Sequence, residues 1–229
     1  MKAACVVLLA LTAPSVLAQF AWPTAAEHKV EPGLYTEDPF IVKYRQEFFA
    51  VFRGDFKRFE RAYTEIEAMV KKDARDARAL VWLGNGMTIK AASLYGAKKT
   101  REGAALAMKS RETLNRAVAL RPQDPNIFMM RAATLFVQGQ YFPADQVPRS
   151  VWALLRDDCE HFVRYTGPDR IKRVSLHVRG ETYGEMGIAY AKLGDAKNAR
   201  RAFEQVIALC PDTNYSVRAQ KEIAGLSGS

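Results

Sequence analysis

The chain has 229 residues and a net charge of +9, which is long enough to bury a real core as one domain or one repeat array. Its basic residues are spread along the chain and no nucleic-acid-binding module accompanies them, so nucleic acid is excluded as the partner class. What remains for the charge is solubility or a weak contact with anionic surfaces such as lipid headgroups, cell-wall polymers or acidic proteins.

The first residues read as an address. Lys2 supplies a positive end, residues 3–11 are apolar, Pro14 and Ser15 break the run, and Val16, Leu17 and Ala18 close it with cleavage-site spacing. This is the pattern of a secretory signal peptide over residues 1–18, cut after Ala18. The apolar run is too short for a membrane anchor, which needs about 20 residues, and Cys5 lies too early for a lipid attachment site. The mature chain is therefore expected in the periplasm or secreted, with no transmembrane segment. Residues 19–38 contain Pro23, Pro32 and Gly33 and little periodicity, and read as a flexible lead-in from which Trp22 and Tyr35 could dock on the first helix.

From Pro39 the spacing predicts a helix to Arg53 bearing Ile41, Tyr44, Phe48, Phe49 and Phe52. Gly54 and Asp55 form a turn, and Phe59, Tyr63 and residues 66–69 give a second helix, making a first unit over residues 39–73. A second unit, residues 77–122, carries Trp82, Leu83, Gly84 and Met87 on one helix and Ser110, Leu114, Ala117 and Leu120 on the next, stopped by Pro122. By the position that Pro122 sets, residue 91, it starts 14 residues early at Ala77. Shared between two antiparallel helices, this adds about two turns to each and leaves every face in place. The tip, residues 95–101 (YGAKKTR), is expected to be basic and exposed. A third unit, residues 125–168, begins at Asp124 and Pro125, runs through Phe128, Ala132 and Leu135 to Gly139, and then enters a long loop over residues 140–148. Its aromatic residues are expected to fold back onto the core rather than stay bare. The helix after it carries Val151, Trp152, Leu155, Cys159, Phe162 and Val163. Residues 169–179, DRIKRVSLHVR, are expected to lengthen the first helix of a fourth unit, residues 170–213, followed by a capping helix over 215–226.

The fourth unit carries the clearest pattern. Residues 180–213 read GETYGEMGIAYAKLGDAKNARRAFEQVIALCPDT. Tyr183, Met186 and Tyr190 share one helix face, and Ala199, Phe203, Val206 and Ile207 share another. Gly184 and Gly187 are expected where a second helix comes close, and Gly194 with Asp195 marks the turn. Tyr183, Gly187, Tyr190, Gly194, Ala199, Phe203 and Pro211 fall at the signature positions of the tetratricopeptide repeat, and the stretch has that repeat's length. The chain thus resembles exported bacterial proteins of the tetratricopeptide repeat family. The resemblance implies an all-α, right-handed superhelix of about four helical hairpins with a C-terminal capping helix, since one repeat cannot bury its faces alone.

The resemblance also implies binding in a concave groove lined by the first helix of each hairpin. In repeat register the lining would be Tyr44 and Phe48; Arg78, Val81, Asn85 and Thr88; Asn126, Met129, Ala133 and Phe136; and Glu181 and Ile188. Relatives that grip a terminal carboxylate use a recurring set of Lys, Arg and Asn, of which only Arg78 and Asn85 stand here, so an extended apolar or aromatic-containing segment fits better. The expected function is a non-enzymatic adaptor for a protein or peptide partner. The alternative is a basic surface of Lys98, Lys99, Arg101, Arg170, Lys172 and Arg173 that binds anionic envelope polymer or lipid.

No residue set for catalysis or for a cofactor is found. His161 shares a face with Asp157, and His177 with Glu181, but a metal needs three or four converging ligands, and ion pairs account for both. GxSxG, HExxH, P-loop and GxGxxG motifs do not occur. Cys159 and Cys210 lie eight residues apart in repeat register, an offset of about 12 Å along parallel helices, beyond the ~7 Å limit between the Cα atoms of a disulfide. Two buried thiols are expected.

Overall fold

Short polar side chains punctuate the chain. The computed structural model describes residues 39–226; the expected signal peptide, its cleavage site and the lead-in lie outside the described residues. Helix α1 (Pro39–Phe48) tightens into a 3-10 turn (Phe49–Arg53) and is followed by α2 (Phe56–Lys72). Gly54, at φ +82°, reverses the chain, and the Asp55 carboxylate accepts from the Arg58 N–H at 3.1 Å. The fourth hairpin repeats this turn: Gly194 has φ +84° and Asp195 accepts from the Asn198 N–H at 3.0 Å. Both turns need a left-handed residue that glycine adopts without steric cost, then a cap for orphan N–H groups.

Helix α3 (Ala77–Gly96) is capped by Asp76, and α4 (Thr100–Leu120) returns beside it. These two helices, of 20 and 21 residues, are the lengthened hairpin that the spacing predicts. Helix α5 (Pro125–Tyr141) is capped by Asp124, and a 3-10 turn (Ala144–Gln146) leads into α6 (Arg149–Thr166). Helices α7 (Leu176–Lys192) and α8 (Ala196–Leu209) form the fourth hairpin, and α9 (Asn214–Leu226) lies against both of them. The described residues form the expected all-α superhelix of four hairpins and a capping helix.

Two expectations are corrected. Residues 169–175 do not lengthen α7: they hold a 3-10 turn (Ile171–Arg173), after which Val174 is extended and the Ser175 hydroxyl accepts from the Val178 N–H at 3.2 Å. A serine aimed at its own backbone starts a helix rather than continuing one. Gly187 does stand where the second helix closes in, because a Cβ there would come within 2.5 Å of the Phe203 ring. Gly184 does not; a Cβ there meets nothing within 4 Å.

The core lies in two main clusters. Tyr44, Phe48, Phe59, Tyr63, Ile66, Trp82 and Leu114 fill the first, and Phe128, Leu135, Trp152, Leu155, Phe162, Phe203 and Val206 the second. A smaller cluster joins the far end of the α3–α4 hairpin to the loop: Phe142 is buried against Ala91 and Ala107, with its ring 4.9 Å from that of Tyr95. The loop's Phe142 does fold back, onto the lengthened hairpin.

A polar seam runs between α3, α4 and α5. Gln138 Nε2 donates to Thr88 Oγ1 at 2.7 Å and to Ser110 Oγ at 3.2 Å, while Arg111 donates to Gln138 Oε1 at 3.0 Å. Asn85 Nδ2 donates to Thr134 Oγ1 at 3.1 Å. Farther along, Arg131 donates to both oxygens of Asp158, at 2.8 and 2.7 Å, and to Asn115 Oδ1 at 2.9 Å, tying α5 to α6 and α4. Burial pushes the Asp158 carboxyl up, against the pull of Arg131. Cys159 and Cys210 are buried thiols not joined by a disulfide, as the register predicts.

Candidate functional site

Successive first helices form one face of the hairpin stack, to which every unit contributes, and the expected groove residues belong to these helices. The structure divides them into two groups. Tyr44 and Phe48 are core residues: their rings lie 6.4 and 5.1 Å from Trp82, and Phe48 lies 5.3 Å from Phe59. Helix α1 has one strong aromatic stripe, and the hydrophobic effect spends it on the interior rather than on a groove. Val81 is fully buried in the same cluster, Thr88 is consumed by the polar seam, and Asn85 is buried with its Oδ1 lacking a hydrogen-bond partner.

Of the remaining seven, five keep accessible surface and two, Phe136 and Ile188, do not. Arg78 is exposed, with its guanidinium 5.1 Å from the Phe40 ring centroid. Asn126, Met129 and Ala133 of α5 are half-buried, as is Glu181 of α7, whose carboxylate lies 3.2 Å from His177 Nε2. His177 Nδ1 is 2.6 Å from the Tyr215 hydroxyl, so the histidine holds α7 to α9. Phe136 and Ile188 are largely buried, and the Arg218 guanidinium of α9 lies 5.7 Å from the Phe136 ring centroid.

Two residues at this end of the face, Glu185 of α7 and Arg218 of α9, escape the sequence reading. Glu185, one turn after Glu181, is only 6% exposed. Burial pushes its carboxyl well up, Glu181 adds to the rise, and Arg218 opposes it. Gly184 beside it leaves open space, and Arg218 comes from what reads as a mere cap. The signal for Glu185 was its i, i+4 relation to Glu181 on a helix otherwise small and apolar.

The six basic candidates do not form one patch. Lys98, Lys99 and Arg101 are exposed at the α3–α4 turn, where Lys99 lies 3.8 Å from Glu102. Arg170, Lys172 and Arg173 sit on the turn before α7, and Arg170 donates to the Thr166 and Tyr165 carbonyls at 2.8 Å, capping α6. His161 stacks on Phe128 with ring centroids 4.4 Å apart, and among the described residues no group of three His, Cys, Asp or Glu could hold a metal. No helix among them is long and apolar enough to cross a membrane.

Antiparallel hairpins stacked in series define a helical-repeat protein. The family model of the tetratricopeptide repeat matches residues 180–213, from within α7 through α8 and the turn after it, and this part of the chain is a tetratricopeptide repeat. No curated protein matches the chain in sequence. Among solved structures it is similar to one described as the first TPR of Spaghetti (RPAP3) bound to HSP90 peptide SRMEEVD, at 17% identity and a TM-score of 0.36, over 62% of this chain and 88% of that one.

Proposed function

We propose that the protein is an exported, non-enzymatic adaptor that holds a segment of a partner protein along the face of its first helices. The observation that carries this reading is the run of half-buried Asn126, Met129 and Ala133 on α5. Partly accessible apolar groups on a rigid, curved surface gain free energy by losing their remaining water to an extended segment. The basic-surface alternative lacks comparable support, because its side chains are divided between two turns.

A photo-cross-linking residue at position 133, compared with one at the exposed Met108 of α4, tests the adaptor reading in the native envelope. A discrete adduct is expected at 133 and not at 108, and Met129→Glu should remove it. Equal adducts at both positions, or an adduct indifferent to Met129→Glu, would mean that this face is not the working surface. Export is tested separately: the protein recovered from the envelope should begin at Gln19, and an intact Met1 would remove that part of the proposal.

A further inference from the structure

On the adaptor reading, we infer that the α7 part of the groove is a receptor for a cationic side chain, lysine or arginine, of the docked segment, with Glu185 as its counter-charge and Gly184 as its room. Glu181, Gly184, Glu185 and Ile188 follow one another at helical spacing along one face of α7, while Gly187, on another face, packs against Phe203. Glu185 is only 6% exposed, and among the described residues no hydrogen bond or ion pair reaches its carboxylate. One turn earlier, the buried Thr182 hydroxyl also lacks a hydrogen-bond partner.

A carboxylate with no protein donor and only a sliver of solvent is a costly group, and its cost falls when a cation arrives with its own hydrogen bonds. The resident cation does not fill that place. Arg218 is drawn over the Phe136 ring and lies 3.8 Å from Glu222 on its own helix. The other charged neighbours on this side are Glu181, which meets His177, and the acidic groups around Cys159 on α6, Asp158 and Glu160. Asp158 is held by Arg131, Glu160 by Arg156 and Arg164, and Glu181 by His177, so the carboxylate on this side that no cation pairs with directly is that of Glu185. A metal would need three converging ligands, whereas one ammonium or guanidinium needs a carboxylate and space. The α7 face provides both, because a Cβ on Gly184 would touch nothing within 4 Å.

The test uses two short fluorescent peptides, one of alternating leucine and lysine and one of alternating leucine and glutamate. The purified protein should bind the lysine peptide about tenfold more tightly or better, a margin typical of one desolvated charge pair. Glu185→Gln should remove most of that preference without lowering the melting temperature, and Glu181→Arg with Glu185→Arg should reverse it. Gly184→Leu, which has room to fold, should weaken the lysine peptide by plugging the space. If both peptides bind equally, or if Glu185→Gln leaves the preference intact, the cationic receptor is wrong while the groove stands. If neither peptide binds, the groove reading and this inference fall together.

Discussion

Glu185 is a group that folding places at a disadvantage when ionised. Its folded pKa lies above the ordinary value of 4.5, so the folded state binds more protons than the unfolded one between those two values. The stability it contributes is full below the ordinary value and is lost as pH rises through the raised one. Glu185→Gln removes that loss. The melting temperature of the unaltered protein should therefore fall relative to the Gln variant as pH rises from about 4.5 toward neutrality, and parallel curves would mean that the carboxylate is solvated. The same residue shows where reading a sequence stops. Gly187 and Phe203 were legible as a pair because a signature fixes both, and the ring does fill the place of the missing Cβ. Gly184 was read by the same rule and is open, since spacing says which residues share a face but not what stands opposite. Glu185 looked like any helical glutamate, because burial by other units is not written in its own helix.

At the scale of elements, the Arg131 contacts join three helices through one side chain. Arg131→Met would leave Asp158 buried without its partner, at a cost of about 3–5 kcal/mol. Changing Asp158→Leu as well should recover much of the loss, since the orphaned charge goes with it. Denaturant titration of the two single variants and the double variant measures this directly, and a double variant as unstable as the sum of the singles would assign the loss to packing instead. Element boundaries were legible where a cap or breaker has one meaning, as at Asp55, Asp124 and Asp195. The lengthened α3–α4 hairpin was legible by arithmetic alone. The start of α7 was not, because Ser175 caps only if the chain before it is extended, and the apolar spacing of Ile171, Val174 and Val178 suits either a helix or a turn that buries Ile171 and Val174.

For the whole molecule, each hairpin leans only on its neighbours, so damage should stay local. Tyr215 of α9 covers Gly180 and its hydroxyl meets His177. Ending the chain after Thr213 should therefore lower hydrogen-exchange protection in α7 and α8 while leaving α3 and α4 as slow as before. Equal acceleration everywhere would instead make the array a single cooperative unit. The family was legible from one repeat, but the course of the groove was not: the aromatic stripe of α1 fits a groove and a core equally well until the neighbours are placed. The seam around Gln138 has a last implication. Two greasy helices can settle at several nearly equal offsets, but Gln138 finds all three of its partners, Thr88, Ser110 and Arg111, at only one. The seam therefore acts as a notch that sets the pitch between the second and third hairpins. The spacing of whatever is read along the first helices is held to that gauge, as a ruler's divisions are held by its marks and not by its wood.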